Sequence, residues 1–424
     1  MWYSSLILCM VVSLRVWADD NGLALSPPMG WRSWNFYQCN INQEIMEASF
    51  AAMVDRSRLV DGKPTSLADL GYTDVGLDDC WQKCGSYGPQ NYTYHNASGW
   101  PQVDEKVFPS MKAMVDRAHS LGLRAGFYSN NCRCKDHCGS GNCFIADVQA
   151  TVAWGFDSIK LDGCGAEKDV ILWRELFNHT SSRPIMIENC HNGPNQPWST
   201  LPRNCPFHMY RSSTDIAPCW GSILANVQTV PPLAEAGLSY PGCWAYPDML
   251  EVMQTNSQGK MPLLSPIESR SHFGMWAILS SPLILGFDVT NATLMDAAWP
   301  FITNKDVVAV NQQWSGFSGS IFYSSTQTTS FSPCGWWLEN CSFPSAQYFY
   351  KPQPNNTMAI LLMNNGNTPS ALSVVFNTIP RLTKASSFRV YDLWIHRDLG
   401  TFSSSYTSPV LASRDCAFIL LSPA

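Results

Sequence analysis

The sequence predicts an α/β protein, a (β/α)8 barrel followed by a C-terminal antiparallel β-sandwich. Three observations carry this. Eight apolar, strand-like runs alternate with amphipathic stretches over roughly 285 residues, the size of one such barrel. Several of those runs end in polar residues, where a barrel gathers its chemistry. After about residue 313 the helical periodicity stops, and short strand-like runs separated by turn residues take over.

Taken in order, residues 1–18 resemble a secretory leader. An apolar stretch runs from Leu6 to Leu14, and Val16-Trp17-Ala18 offers a small-residue cleavage site before Asp19. The usual basic start is missing and Arg15 comes late; the rival, an uncleaved anchor, is too short to span a bilayer. The barrel is expected over 19–313, with strands at 29–34, 72–79, 123–129, 156–162, 184–189, 209–215, 239–245 and 281–286. Helical stretches at 42–56 and 109–121 show apolar residues at three- and four-residue spacing. Asn42 and Pro109-Ser110 offer caps or helix starts, and Ser265-Pro266-Ile267-Glu268 reads as a capping box with proline at the first helical position. An open doubly wound sheet is the structural rival, but no Gly-x-Gly-x-x-Gly turn follows the first strand. The sandwich is expected over 314–424, with strands at 319–323, 346–351, 357–363, 371–376, 387–394 and 415–422. It carries no evident catalytic grouping, which favours a structural role over carbohydrate binding.

Composition narrows function. Charged residues make up 14 % of the 424 and the formal net charge is −6, so no basic stripe is available to neutralise nucleic-acid phosphates. Sixteen cysteines and sequons at Asn91, Asn96, Asn178, Asn291, Asn340 and Asn355 fit a secreted or lysosome- or vacuole-like destination. Loss of Cys9 with the leader leaves fifteen, so at least one thiol lacks an intrachain partner. Cys132, Cys134, Cys138, Cys143 and His137 could be read as a zinc site, but disulfides are the stronger reading in an oxidising compartment. The seventeen tryptophans can pack a core or stack on sugar rings.

The most informative run is Ser158-Ile159-Lys160-Leu161-Asp162-Gly163-Cys164. On a strand Lys160 and Asp162 share a face, and a neighbouring cation favours the ionised carboxylate and lowers its pKa. That arrangement prepares a carboxylate nucleophile.

Further motifs occur in a fixed order: Pro28-Met29-Gly30-Trp31, Leu77-Asp78-Asp79-Cys80-Trp81, Gly126-Phe127-Tyr128, Lys160-Leu161-Asp162-Gly163-Cys164, Arg211 with Asp215, and Pro247-Asp248-Met249-Leu250. With these the chain resembles glycoside hydrolase family 27, the α-galactosidases and α-N-acetylgalactosaminidases, from about residue 21 to the end. Ser280-Ser281-Pro282-Leu283 and Val310-Asn311-Gln312 are similar to the family's last barrel strand and its exit to the sandwich.

The resemblance implies a retaining exo-glycosidase acting on terminal α-galactosides, with Asp162 as nucleophile and Asp215 as general acid/base. Such a pair stands roughly 5–5.5 Å apart on opposite sides of the scissile bond. The fourth and sixth strands would bring them face to face. A resting Asp215 must hold a proton, so Arg211, four residues earlier, is expected to aim away from it, at sugar hydroxyls and the nucleophile. Asp78 and Asp79 resemble the pair that binds galactose hydroxyls; the alternative for two adjacent carboxylates is a calcium site. Trp31 resembles an aromatic floor and Tyr128 a hydroxyl contact, with core packing as the alternative for both. Lys160 would bind the sugar and bias Asp162, and Asp248 would add a polar contact at the mouth. By analogy Cys39 pairs with Cys80, Cys164 with a cysteine of 132–138, and Cys190 with Cys205. A Cys219–Cys243 pair rests only on both lying at the expected mouth. No cofactor or metal is implied, a homodimer is compatible with the chain, and a galactose-containing oligosaccharide, glycolipid or polysaccharide is the implied partner.

Two segments depart from the family. Cys190-His191-Asn192-Gly193-Pro194 stands where α-galactosidases carry Cys-Glu-Trp and α-N-acetylgalactosaminidases Cys-Ser-Trp. His191 can hydrogen-bond a 2-hydroxyl, while its bulk opposes an N-acetyl group; the alternative is a structural histidine. Trp244-Ala245-Tyr246-Pro247-Asp248-Met249 replaces Trp-Asn-Asp-Pro-Asp-Met. Asn130-Asn131-Cys132-Arg133-Cys134 is also unusual. The competing readings are a β-L-arabinopyranosidase, an α-N-acetylgalactosaminidase, a transglycosylase sharing the covalent intermediate, and a galactose-binding protein without turnover.

Overall fold

A computed structural model describes residues 21–129, 132–138, 141–164, 169–190, 205–255, 263–336 and 338–424. Eight parallel strands form one sheet: β1 (Met29–Arg32), β2 (Asp74–Gly76), β3 (Arg124–Ser129), β4 (Ser158–Asp162), β5 (Met186–Cys190), β6 (Met209–Arg211), β7 (Trp244–Tyr246) and β8 (Leu283–Leu285). The spatial order is β8-β1-β2-β3-β4-β5-β6-β7. Closure comes from a residue beyond β7. Leu250 forms a parallel bridge to Leu285 and donates its N–H to the Ile284 carbonyl at 2.8 Å. All eight expected strand segments are present, each shorter than the apolar run that predicts it, because a barrel strand keeps its ladder only where both neighbours are in register.

Helices follow the strands: α1 (Gln43–Met53), α2 (Met111–Ser120), α3 (Gly141–Trp154), α4 (Val170–Thr180), α5 (Trp220–Val227), α6 (Val230–Glu235), α7 (Pro266–Ile278), α8 (Ala292–Ile302) and α9 (Lys305–Gln312). The start signals read in the sequence act as expected. The Asn42 side chain accepts from the Ile45 N–H, Ser110 from Ala113, and Ser265 with Glu268 closes a reciprocal capping box. α1 turns Met46, Phe50 and Met53 inward, the three- and four-residue spacing of one apolar stripe.

The C-terminal unit holds β9 (Ser320–Ser324), β10 (Thr328–Phe331), β11 (Cys341–Pro344), β12 (Ala346–Gln353), β13 (Thr357–Asn364), β14 (Ser373–Val375), β15 (Phe388–Asp392), β16 (Arg397–Phe402), β17 (Ser405–Thr407) and β18 (Cys416–Pro423). Six build one sheet, ordered β9-β12-β13-β18-β15-β16, and β14 pairs with β17. Val374 and Tyr406 of that pair close over Ile360, Leu362, Val390 and Ile419 of the large sheet. The other face of the large sheet lies on the barrel: Phe349, Leu361 and Phe418 belong to the same core as α7 residues Phe273 and Trp276. This is why β13 is apolar at successive positions rather than alternating: both its faces are buried. The buried ammonium of Lys351 on β12 donates to the Val310 and Asn311 carbonyls at the end of α9 and ties the two units together.

The cysteines partly follow expectation. Cys39–Cys80 and Cys132–Cys164 form, joined by Cys84–Cys134, Cys138–Cys143, Cys205–Cys243 and Cys334–Cys341. The four cysteines between 132 and 143 are thus all in disulfides. Cys190–Cys205 and Cys219–Cys243 do not form, and Cys190 and Cys219 are buried free thiols. The reason is polarity along the barrel. Cys190 ends β5, at the carboxyl side, whereas Cys205 and Cys243 precede neighbouring strands at the amino side, with Cα atoms 6.0 Å apart. Cys219 precedes α5, again at the carboxyl side, out of reach of Cys243.

Candidate active site

Side chains that meet across non-adjacent strands define the barrel interior. Lys160 of β4 places Nζ 2.8 Å from Oδ2 of Asp78, just beyond β2. Arg32 of β1 reaches Glu188 of β5 at 2.5 Å, and the Tyr246 hydroxyl of β7 donates to the other oxygen of Glu188. Above this layer, at the carboxyl ends of the strands, stand Asp162, Cys190, Arg211 and Asp248.

Asp162 ends β4 in register with Cys190. The Tyr128 hydroxyl donates to Asp162 Oδ2 at 2.9 Å, and the Gly163 N–H donates to Oδ1 at 2.6 Å. Both fix the carboxylate. Burial raises the pKa of Asp162; Lys160, Arg211 and the Tyr128 hydrogen bond pull the other way. The expectation that Lys160 would leave this carboxyl depressed is therefore not met. Its ammonium is committed to Asp78, and desolvation prevails at Asp162.

Arg211 also differs from expectation. It is 4 % exposed, and Nη1 lies 2.6 Å from Asp215 Oδ1 and 3.2 Å from Asp248 Oδ2. It sits on Asp215 instead of aiming away from it. The cause is local: β6 stops at Arg211, and the chain curls so that Asp215 returns over the guanidinium. Asp248 makes this possible. At φ +83° it accepts the Ile216 N–H at 3.0 Å on the oxygen that faces Arg211. Arg211 feels both Asp215 and Asp162 electrostatically, so one buried cation links the two carboxylates. The Asp215 side chain is 56 % exposed at the mouth.

Asp79 is buried and already receives hydrogen. Its oxygens accept from the N–H groups of Cys80 at 2.7 Å and Arg133 at 3.1 Å, and burial raises its pKa. Trp31 is 1 % exposed, donates its indole N–H to the Phe287 carbonyl at 2.9 Å and meets the Tyr37 ring edge-on. Alternation along β1 sends its neighbour Arg32 into the barrel and Trp31 to the wall. His191 lies outside the described residues. The structure thus brings together Asp78, Asp79, Tyr128, Lys160, Asp162, Arg211, Asp215 and Asp248, leaves Trp31 in the wall, and adds Arg32, Glu188 and Tyr246. A signal for the additions exists in the sequence: Arg32 and Glu188 are charges inside otherwise apolar strand runs.

Comparisons with known proteins agree with this frame. The family model for alpha galactosidase A matches residues 26–313, and that for the alpha galactosidase C-terminal beta sandwich domain matches residues 344–421. A probable alpha-galactosidase of Dictyostelium discoideum is 29 % identical over 430 residues, 98 % of each chain. Alpha-galactosidase 3 of Arabidopsis thaliana is 30 % identical over 416 residues, 95 % of this chain and 83 % of that one. The crystal structure of alpha-galactosidase I from Mortierella vinacea superposes with a TM-score of 0.76 at 26 % identity, covering 96 % of this chain and 99 % of that one. Barrel, sandwich and a mouth lined with carboxylates define a glycoside hydrolase. Within that class the chain belongs to the α-galactosidase family, glycoside hydrolase family 27.

Proposed function

We propose that this enzyme is a secreted retaining exo-glycosidase that removes terminal α-D-galactosyl residues from oligosaccharides, glycolipids or polysaccharides. One observation carries the reading: Asp162 and Asp215 both stand at the barrel mouth within the field of Arg211, one oriented by Tyr128 and the other open to solvent. Asp162 attacks the anomeric carbon, and an ester bond forms as the glycosidic bond breaks. Asp215, once it takes up a proton and loosens from Arg211, delivers that proton to the departing oxygen. The same carboxylate then takes a proton from water, whose oxygen displaces Asp162 and releases galactose with its configuration kept. Asp78, Asp79 and Lys160 hold ring hydroxyls, and Arg211 and Asp248 shape the mouth. By sequence position His191 corresponds to the residue that discriminates the C2 substituent in the family, and the bulk of a histidine favours a hydroxyl over an N-acetyl group. No cofactor enters these steps.

Secretion is supported by the six disulfides among the described residues, and no described helix is long and apolar enough to cross a membrane.

The test is hydrolysis of nitrophenyl α-D-galactoside, α-N-acetyl-D-galactosaminide, β-L-arabinopyranoside and α-D-glucoside at mildly acidic pH, with the product anomer followed by NMR. Turnover of the galactoside with retention supports the reading. Inversion overturns the mechanism, and turnover of only another glycoside overturns the specificity.

A further inference from the structure

We propose that Arg32, Glu188 and Tyr246 form a positioning network that sets Asp78 and Lys160 for sugar binding. The inference rests on the reading that those two residues hold the substrate. Arg32, Glu188 and Tyr246 are 6 %, 1 % and 0 % exposed, and their contacts run to one another and, through Arg32, toward Asp78.

The geometry is a chain of contacts across the barrel. Tyr246 donates its hydroxyl to Glu188 Oε1, and burial beside Glu188 keeps that phenol protonated. Glu188 Oε2 faces Arg32 Nη1 at 2.5 Å. Arg32 Nε then stays 4.0 Å from Asp78 Oδ2, outside hydrogen-bond range, and leaves that oxygen to Lys160 at 2.8 Å. Asp78 Oδ1 accepts the Asp79 N–H at 2.9 Å. Two cations therefore compete for one carboxylate oxygen, and Glu188 decides the contest by drawing Arg32 away. If Glu188 loses its charge, Arg32 has Asp78 as its remaining close counter-ion. It would then close on Oδ2 and dislodge Lys160.

A second observation supports the assignment. A methyl group on Gly76 would lie 2.9 Å from Arg32 Nε, with no other residue among its three nearest contacts. The missing side chain thus leaves the space the guanidinium occupies. The network also gives a purpose to Tyr246, which stands where the family pattern has a carboxylate. An aspartate there would put two acids against each other, whereas a phenol can donate to Glu188.

The experiment measures galactose binding by calorimetry, and KM and kcat on nitrophenyl α-galactoside. The proteins are the wild type, Glu188→Gln, Tyr246→Phe, Gly76→Ala and the Arg32→Met/Glu188→Gln double variant. Glu188→Gln is expected to weaken galactose binding and raise KM by about tenfold or more, the scale of a charged hydrogen bond, with kcat changed far less. Tyr246→Phe and Gly76→Ala move KM the same way by less. The double variant recovers part of the loss, because no unpaired cation presses on Asp78. Wild-type binding by Glu188→Gln, a loss confined to kcat, or a double variant worse than Glu188→Gln would overturn the network. Should Glu188→Gln fail to fold, Tyr246→Phe and Gly76→Ala decide alone, and an unchanged KM in both overturns it. A wild type that binds no galactose sinks the reading of the site and this inference together. A wild type that binds while the variants match it sinks only the inference.

Discussion

Lys160 Nζ lies 2.8 Å from Asp78 Oδ2, and its charge reaches Asp162 only through space. Lys160 therefore has two separable effects, one on the proposed sugar binding through Asp78 and one on the ionisation of Asp162. Burial raises the pKa of Asp162, and Lys160 is the first of the groups that oppose it. As the proposed nucleophile Asp162 must be ionised, so activity should fall as pH drops through that pKa. Lys160→Met removes the opposing charge and raises the pKa further. The acidic limb of kcat/KM should move to higher pH, and KM should rise. A pH profile whose acidic limb stays in place would show that Lys160 acts through Asp78 alone.

Asp215 rests against Arg211 at the solvent-exposed mouth. Its proposed proton delivery matters most for poor leaving groups. Asp215→Ala should lower kcat/KM on a natural α-galactoside by roughly 10²–10⁴-fold, the usual scale of general acid catalysis. A dinitrophenyl galactoside, whose leaving group needs no proton, should lose much less in the glycosylation step. Added azide should restore turnover and give an α-galactosyl azide, since it needs no general base. Equal losses on both substrates with no azide product would remove Asp215 from the acid/base role.

Stability has its own pH signature, set by a cluster outside the proposed site residues. His95 is buried, with Nδ1 2.5 Å from Asp136 and Nε2 2.9 Å from Asp147. Burial opposes its charge, but the two carboxylates prevail and push its pKa up to about 9 from 6.5. A pKa raised in the folded state stabilises fully below 6.5, and the contribution fades as pH climbs through 9. The ceiling is on the order of 3 kcal/mol. His95→Phe should therefore cost more at pH 5 than at pH 10, because the contribution of the charged imidazole that it removes is present at pH 5 and has faded by pH 10. Thermal unfolding of both proteins across that range is the check. A pH-independent difference would reduce His95 to a packing residue.

Most of the barrel was legible because its signals are local. Each apolar run had to be a strand, and the caps at Asn42, Ser110 and Ser265 read directly from residue type. The place of Asp162 at the end of a strand was likewise legible, since a carboxylate closing an apolar run is visible in one dimension. Partners across the barrel were not. Nothing near Lys160 in sequence says that it will choose Asp78, 82 residues away, over Asp162, two away. Arg32 and Glu188, 156 positions apart, become neighbours only when the sheet closes, so a buried ion pair looked like two stray charges. Cys190 and Cys205 show the same limit: nearness in sequence hid their placement at opposite ends of the barrel. The strands β10, β11, β16 and β17 were missed because they are short or rich in polar residues and little apolar alternation survives.

The Cys132–Cys164 disulfide joins the two segments that present Asp79 and Asp162. Cys132 and Arg133 donate backbone N–H groups to Asp79 Oδ2 at 3.3 and 3.1 Å, and Cys164 lies two residues past Asp162. Cutting this link frees one side of the mouth while the strands below keep their ladders. The Cys132→Ser/Cys164→Ser variant should therefore lose activity before it loses fold. A link closing a loop of this length contributes about 3–4 kcal/mol through chain entropy, so the melting temperature should also fall. The decisive comparison is at a temperature where the variant is still fully folded by circular dichroism. There KM for the galactoside should be raised, because the oxygens of Asp79 are no longer held in place. An unchanged KM in the folded variant would mean that β2, β3 and β4 fix Asp79 and Asp162 without it, and that the disulfide serves only stability.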